Sequence, residues 1–405
     1  MNLSYFIASR TSNQSNRSFS RVIIRIALLA VALSIAIMLV SDAIVIGFQN
    51  EIKNKVTSFA AHIQVSKTKT NFSFENEPMP VNDTFVKQVK NFGEVSHIQP
   101  FATKPGIIKT AEAIEGVVLK GVDNNYSWKA FSDKLLYGTR LSWNDSVPSN
   151  EIILSKYIAD KLALKVDDEV VMYFVQQPPR ARKFTVKGIY QTSIEELDKV
   201  FMLVDIRQVQ ALNGWDEKTI GGYEVFLHDF DKLDEINEEV RIASEVTEDT
   251  KTIKERYPQI FDWLDLLNVN IEIILTLMAL VAAINMVTAL IIMILERTQM
   301  IGIFKALGAT DWVLQKIFIF NAMRLILMGI LIGNAIAFFI LLVQKYLHVI
   351  KLSEESYYVS EVPIHFAWNH IIYINLGAFI FCTLAMLVPS LLVTRIRPVK
   401  AIRFE

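Results

Sequence analysis

The chain has 405 residues, 52% of them hydrophobic, with a formal net charge of -1 and a single cysteine. A near-neutral balance excludes the basic footprint of a nucleic-acid-binding protein. One cysteine, Cys382, excludes any disulfide within the chain.

The first element in chain order is a short basic segment, 1–21, followed by an apolar run over 22–48. A membrane helix needs about 20 mostly apolar residues. The run meets that requirement, with Arg25 near its start and Asp42 near its end as its only charges. Its length favours an uncleaved signal anchor over a cleaved signal peptide. The helical pattern does not stop at Phe48. Phe48, Ile52, Val56 and Phe59 recur at spacings of four, four and three, so the helix is expected to continue as an amphipathic stalk.

Residues 49–270 have globular composition and read as a mixed α/β domain. Strands are expected at 62–65, 116–122, 151–154, 169–175, 183–190, 199–204 and 223–227, rich in Val, Ile, Phe and Tyr. Ser155 is placed to cap a helix through Leu164, and 231–247 reads as a charged, exposed helix. Gln176, Gln177, Pro178, Pro179 and Arg180 form a turn between two strands, because the prolines cannot donate to a ladder. A return stalk follows, with Ile260, Phe261, Leu264, Leu267 and Ile271 on one stripe.

Three further spans crowd the C-terminal part, at 271–295, 313–344 and 371–393. They are separated by a segment at 296–312 and a loop at 345–370, and a tail at 394–405 follows. The expected fold class is therefore an α-helical membrane protein with four transmembrane helices and a mixed α/β domain between helices one and two.

Orientation follows the basic residues next to the helix ends. Residues 1–25 hold Arg10, Arg17, Arg21 and Arg25 and no acid; Arg297, Lys305 and Lys316 lie around the 296–312 segment; Arg395, Arg397, Lys400 and Arg403 occupy the tail. Both termini and the 296–312 segment are thus expected in the cytoplasm, in a multi-pass membrane protein. The 49–270 domain and the 345–370 loop are expected outside.

The motifs of a catalytic site are missing. The sequence contains no G-x-x-x-x-G-K-[ST], H-E-x-x-H or C-x-x-C. His365 and His370 lie five apart beside a span without a supporting acidic or cysteine cluster, which reads as interfacial placement rather than a metal site. Arg25, Asp42 and Arg324 are charges within or beside spans; structural pairing or snorkelling is the first reading of each, a transport role the second. The chain is expected to be non-catalytic and to bind no cofactor of its own.

The 296–312 segment carries Glu296-Arg297-Thr298-Gln299-Met300-Ile301-Gly302-Ile303-Phe304-Lys305-Ala306-Leu307-Gly308-Ala309-Thr310. It resembles the coupling segment of ABC transporter permeases of the MacB/FtsX/LolC/LolE superfamily. Gly47 to Ile52 leading into Ala61 to Val65 is similar to the first-helix exit of LolC/LolE permeases. Residues 151–227 are similar to the superfamily's periplasmic core, and Arg395 to Glu405 to its usual ending.

The resemblance implies that Glu296, Arg297, Met300, Ile301, Gly302, Phe304, Lys305, Ala306, Leu307 and Gly308 dock a separate cytoplasmic ATPase dimer, which holds ATP and Mg. Ile301, Phe304 and Leu307–Gly308 would form an apolar knob flanked by Arg297 and Lys305. An amphipathic helix of that kind seats in a groove of a partner. Met300 stands where many relatives carry a glutamate, which puts a salt contact at that position in doubt.

Further implied partners are a second permease copy or paralogue, a lipoprotein substrate and a periplasmic carrier. The carrier would meet the hairpin at 176–180, which is shorter than in LolC-type permeases; that fits a LolE-like subunit, a homodimer or another branch. Val45, Phe48 and Ile52, with Leu264, Leu267 and Ile271, would line an apolar slot for acyl chains. The same residues fit simple packing of helix one on helix two equally well. The implied function is extraction of lipoproteins from the inner membrane; FtsX-like signalling to a cell-wall hydrolase and MacB-like export of peptides or toxins are the alternatives.

Overall fold

The first apolar run folds as one uninterrupted helix, α1 (Ser18–Ala60), of 43 residues. At 1.5 Å per residue it is about 65 Å long, roughly twice the hydrocarbon thickness of a bilayer. The computed structural model describes residues 18–69, 73–144 and 146–396. Arg10 and Arg17, and the tail from Arg397 onward, lie outside the described residues. Two units are distinct. One comprises 18–49, 263–351 and 361–396; the other comprises 50–262 and 352–360.

In the second unit the end of α1 leads directly into strand β1 (Ile63–Lys67). The elements that follow are helix α2 (Asp83–Lys90) and strands β2 (Val95–Lys109), β3 (Ile114–Val122), β4 (Leu135–Gly138) and β5 (Glu151–Ser155). Then come α3 (Lys156–Lys161), β6 (Glu169–Phe174), β7 (Arg180–Tyr190), β8 (Phe201–Asp205), α4 (Ile206–Asn213), β9 (Gly222–Leu227), α5 (Leu233–Ala243) and β10 (Glu248–Thr252). The ten strands form one sheet in the order β10-β1-β9-β2-β3-β8-β5-β7-β4, with β6 paired to β2 and β7. The β3–β8 and β5–β7 pairs are parallel; the others are antiparallel.

All seven strands expected from the sequence form. The longest, β2, was not among the expected strands; it contains Pro100 and Pro105, residues uncommon inside a sheet. The register explains the tolerance. Pro100 has only β9 beside it and Pro105 only β3, so each missing N–H costs no ladder bond to a second neighbour. Ser155 caps α3 as expected, its Oγ accepting from the Ile158 N–H at 3.1 Å. The helix stops at Lys161 rather than Leu164, and Ala163 takes a left-handed conformation. The helix at 231–247 is shorter than expected, and it is not simply exposed: Leu233, Ile236 and Val240 of α5 are buried.

The stretch 352–360, between the last two spans, also belongs to this unit. Glu354 accepts hydrogen bonds from Gln191 (2.8 Å) and Ser193 (3.1 Å), and the Tyr358 carbonyl accepts one from Lys55 (2.9 Å). The sequence had offered only a loop there.

The first unit holds the rest of α1 with α6 (Pro258–Glu296, from Trp263 onward), α7 (Thr298–Ala306), α8 (Asp311–Leu347) and α9 (Trp368–Ala385). Among the described residues, four helices are long and apolar enough to span a membrane: 24–60, 258–296, 311–347 and 368–394. With the mixed α/β domain between the first two, they give the fold class expected from the sequence. Val31 and Ile35 of α1, Met286 and Leu290 of α6, Phe318 of α8 and Cys382 of α9 share one buried cluster.

Two devices hold the bundle where apolar burial alone discriminates little between helices. Asn334 and Asn375 exchange hydrogen bonds between α8 and α9 at 2.7 and 3.1 Å. Gly329 and Gly333 form a G-x-x-x-G stripe on α8 that meets α1. A Cβ on Gly329 would lie 2.7 Å from Val31 Cγ1, and one on Gly333 2.6 Å from the Ala32 carbonyl oxygen.

Candidate functional site

The segment between α6 and α8 is the part of the first unit that the sequence singled out. α7 ends because Gly308 adopts a left-handed conformation, φ +89°. The Ala309 N–H then bonds back to the Phe304 carbonyl at 2.9 Å and the Gly308 N–H to Lys305 at 3.0 Å, closing a glycine-terminated helix end. The chain is thereby turned into α8 within four residues.

The two sides of α7 have different jobs. Ile301 is fully buried in the bundle cluster, Gly302 is buried beside it, and Met300, Phe304 and Ala309 pack partly against it. Ile303 is 51% exposed and Leu307 78%; four residues apart, they share the outward face. Ala306, Gly308 and Glu296 are exposed as well. The expected single apolar knob of Ile301, Phe304 and Leu307–Gly308 is therefore divided. The stripe that finds a bundle to bury against turns inward, and Leu307 is left outside with Ile303, which the sequence reading had not included.

Lys305 was expected to flank a partner surface. Its side chain is only 11% exposed. The ammonium pairs with Asp311 at 2.8 Å and donates to the carbonyls of Thr394 (3.2 Å) and Ile396 (3.0 Å). A cation at a helix's last carbonyls offsets the negative end of its dipole. Lys305 thus fastens α7 to the end of the last span. Arg297 is half-buried at the turn before α7.

The proposed slot residues are placed differently from one another. Phe48, Leu264 and Ile271 are buried and Val45 and Leu267 half-buried in the first unit. The Phe48 ring meets Trp263 edge-on at 6.0 Å, and Gln49 Nε2 donates to the Leu264 carbonyl (3.1 Å) and to Asn268 (2.8 Å). These contacts are helix one packed on helix two. Ile52 lies in the other unit and is fully buried. The exposed apolar stripe of α6 runs instead through Leu266, Val269, Ile273, Leu277, Leu280 and Ile284, each roughly half exposed.

The hairpin between β6 and β7 is partly committed. Arg180 donates to the carbonyls of Ala211 (2.8 Å) and Leu212 (3.2 Å) at the end of α4, and Gln176 also reaches Leu212 (3.3 Å). Gln177, Pro178 and Pro179 remain exposed at the tip, beside Val175.

A contact the sequence did not suggest joins Asp42 to His370, whose Nδ1 lies 3.2 Å from the carboxylate. The nearby His365 backbone N–H donates to the Ala43 carbonyl at 3.2 Å. An acid inside an apolar run was the available signal; its partner 328 residues away was not readable.

In the second unit, Lys120 and Glu224 form an ion pair at 2.7 Å, with side chains 4% and 1% exposed. Burial pushes the Lys120 ammonium pKa down, and the adjoining carboxylate opposes the shift.

Known proteins agree with this architecture. Residues 26–243 match the family described as MacB-like periplasmic core domain, and 272–398 that described as FtsX-like permease C-terminal. The lipoprotein-releasing system transmembrane protein LolC of Xylella fastidiosa (strain 9a5c) is 23% identical over 397 residues, 93% of each chain. The corresponding LolE of Haemophilus influenzae is 22% identical over 433 residues, 99% of each. A solved structure of the periplasmic region of MacB from Actinobacillus actinomycetemcomitans covers 50% of this chain and 92% of its own, at 13% identity and a TM-score of 0.34. With a MacB-like core matched over more than half of its length and an FtsX-like C-terminal region, and with LolC and LolE proteins similar to it end to end, the chain belongs to the MacB/FtsX-like permease superfamily.

Proposed function

We propose that this chain is the permease subunit of an ABC transporter that extracts lipoproteins from the inner membrane and passes them to a periplasmic carrier. ATP hydrolysis, with its Mg, belongs to a separate cytoplasmic ATPase dimer. The observation that carries this reading is the end-to-end similarity to proteins named for lipoprotein release. The FtsX-like match over 272–398 favours a second reading, a signal transmitter that carries nothing. It covers only the C-terminal spans, whereas the lipoprotein-release relatives also account for the inserted domain.

In this reading Ile303 and Leu307 seat on the ATPase, while Ile301, Phe304 and Lys305 transmit its movement to the bundle. The α6 stripe from Leu266 to Ile284 faces a second permease copy or paralogue, and acyl chains enter between the two. Each methylene buried there contributes about 0.8 kcal/mol, so no polar chemistry is required. The tip at Gln177–Pro179 is the surface left for a carrier.

The reading requires both termini and α7 in the cytoplasm. A cysteine at Asn144 should react with a membrane-impermeant maleimide added to intact spheroplasts, and one at Thr310 should not. The opposite labelling would place α7 out of reach of any ATPase and overturn the assignment.

A further inference from the structure

The C-terminus of α1 is held in an unusual way. The last carbonyls of a helix lack partners within it and carry the negative end of its dipole. The last turn of α1 contains no basic residue to answer that charge. Two cations from distant parts of the chain do so. Lys120 Nζ, on β3, donates to the Phe59 carbonyl at 2.6 Å, and Arg256 Nη1 donates to the Ala60 carbonyl at 2.6 Å. Immediately beyond, Ala61 takes φ +55° and the chain enters the sheet, where His62 N–H bonds to Val225 (3.1 Å) and the Ile253 N–H to the His62 carbonyl (2.8 Å).

Each cation is tied to a different structure. Lys120 pairs with Glu224 of β9, which accepts from Gln99 of β2 at 2.9 Å. Gln99 in turn accepts from the Ser127 N–H at 2.9 Å. Arg256 stands two residues before Pro258, the first residue of α6. The end of one membrane-crossing helix, the start of the next and the middle of the sheet are thus fastened at one point. The packing around it is open on one side. A cleft of about 700 Å³ is bordered by Phe59, Lys120, Glu224, Arg256 and Tyr257. A buried ion pair is weak evidence of stabilisation, because desolvation offsets most of its attraction. Holding a specific geometry is the better account of this one.

We propose that Lys120 and Arg256 are positioning residues that clasp the end of α1, so that ATP-driven displacement of α1 and α6 becomes a rigid displacement of the inserted domain. This rests on the permease reading above and deepens it. The clasp makes two separable statements. Removing a donor leaves ATP hydrolysis intact, because the ATPase and α7 are untouched. The same removal disconnects the inserted domain from nucleotide state.

The test is a distance measurement between spin labels at Glu239 in α5 and Tyr346 near the end of α8, in the reconstituted complex with its ATPase, on a Cys382→Ala background. The unaltered clasp should give a distance that changes on ATP binding. Arg256→Gln, which is shorter and uncharged, should retain ATP hydrolysis and lose the change, and Arg256→Lys, which keeps a long cationic donor, should restore it. Lys120→Met paired with Glu224→Gln, which leaves no buried charge, should repeat the loss. If that pair fails to fold, as judged by protease sensitivity, Arg256→Gln decides alone. An unchanged ATP response in Arg256→Gln would overturn the proposal. So would a parent complex that hydrolyses ATP without any distance change. The readout uses ATP and no cargo, so it stands or falls separately from lipoprotein release.

Discussion

Leu307→Asp should separate this permease from its ATPase while leaving the permease folded. Leu307 is 78% exposed at the end of α7 and makes no part of the buried cluster. An apolar anchor at an interface centre is worth ~2 kcal/mol or more, and a carboxylate buried there without a partner adds a further penalty. A combined cost of roughly 3 kcal/mol is on the order of a hundredfold in Kd. Copurification with the ATPase and ATP hydrolysis by the reconstituted pair are the measurements. Ile303→Asp should behave alike. Ile301→Asp should not: its side chain is fully buried against the bundle, so that change should lower the amount of folded permease itself. Equal assembly by Leu307→Asp and the parent would show that the outward face of α7 does not dock the ATPase.

The second large effect belongs to the bundle. Gly333→Leu should drive α1 and α8 apart. Even a Cβ at this position falls 2.6 Å from the Ala32 carbonyl oxygen and 2.8 Å from Ile35 Cβ, both on α1. Overpacking of a well-packed core costs typically 1–3 kcal/mol, and here the obstacle includes backbone, which cannot rotate aside. The expected result is a lowered detergent melting midpoint and poor membrane accumulation. Gly377→Leu on α9 is the control, since nothing lies within 4 Å of a Cβ there. Equal losses from the two would remove the special role of the Gly329–Gly333 stripe.

Much of the architecture was written in local pattern. Four apolar runs, a stalk stripe at Phe48, Ile52, Val56 and Phe59, and seven strands rest on spacing and residue type, and each is visible in a short window. The four stalk residues are all buried. What a window could not show was which partner an element meets. The periodicity of α7 put apolar groups at Ile301, Phe304 and Leu307, but a bundle on one side and water on the other divided them. The two prolines of β2 are tolerated because of its register with its neighbours, which a short window does not contain. Lys305 looked like a surface charge because its acceptors, Thr394 and Ile396, are 89 and 91 residues away. Lys120 and Glu224, 104 positions apart and each surrounded by ordinary strand residues, carried no local signal at all. The Gly329–Gly333 spacing was different: the G-x-x-x-G signal was present in the sequence and went unread.

The central claim, release of lipoproteins, is tested most directly by photocrosslinking at Ile273, on the exposed stripe of α6, in the assembled transporter within native membrane. Phe48, packed against Trp263, serves as the closed reference position. The account predicts lipoprotein adducts at Ile273 that disappear on ATP turnover, and few at Phe48. Adducts at Ile273 to permease or phospholipid alone, together with normal lipoprotein sorting after depletion of this chain, would contradict it and leave the signalling reading in its place.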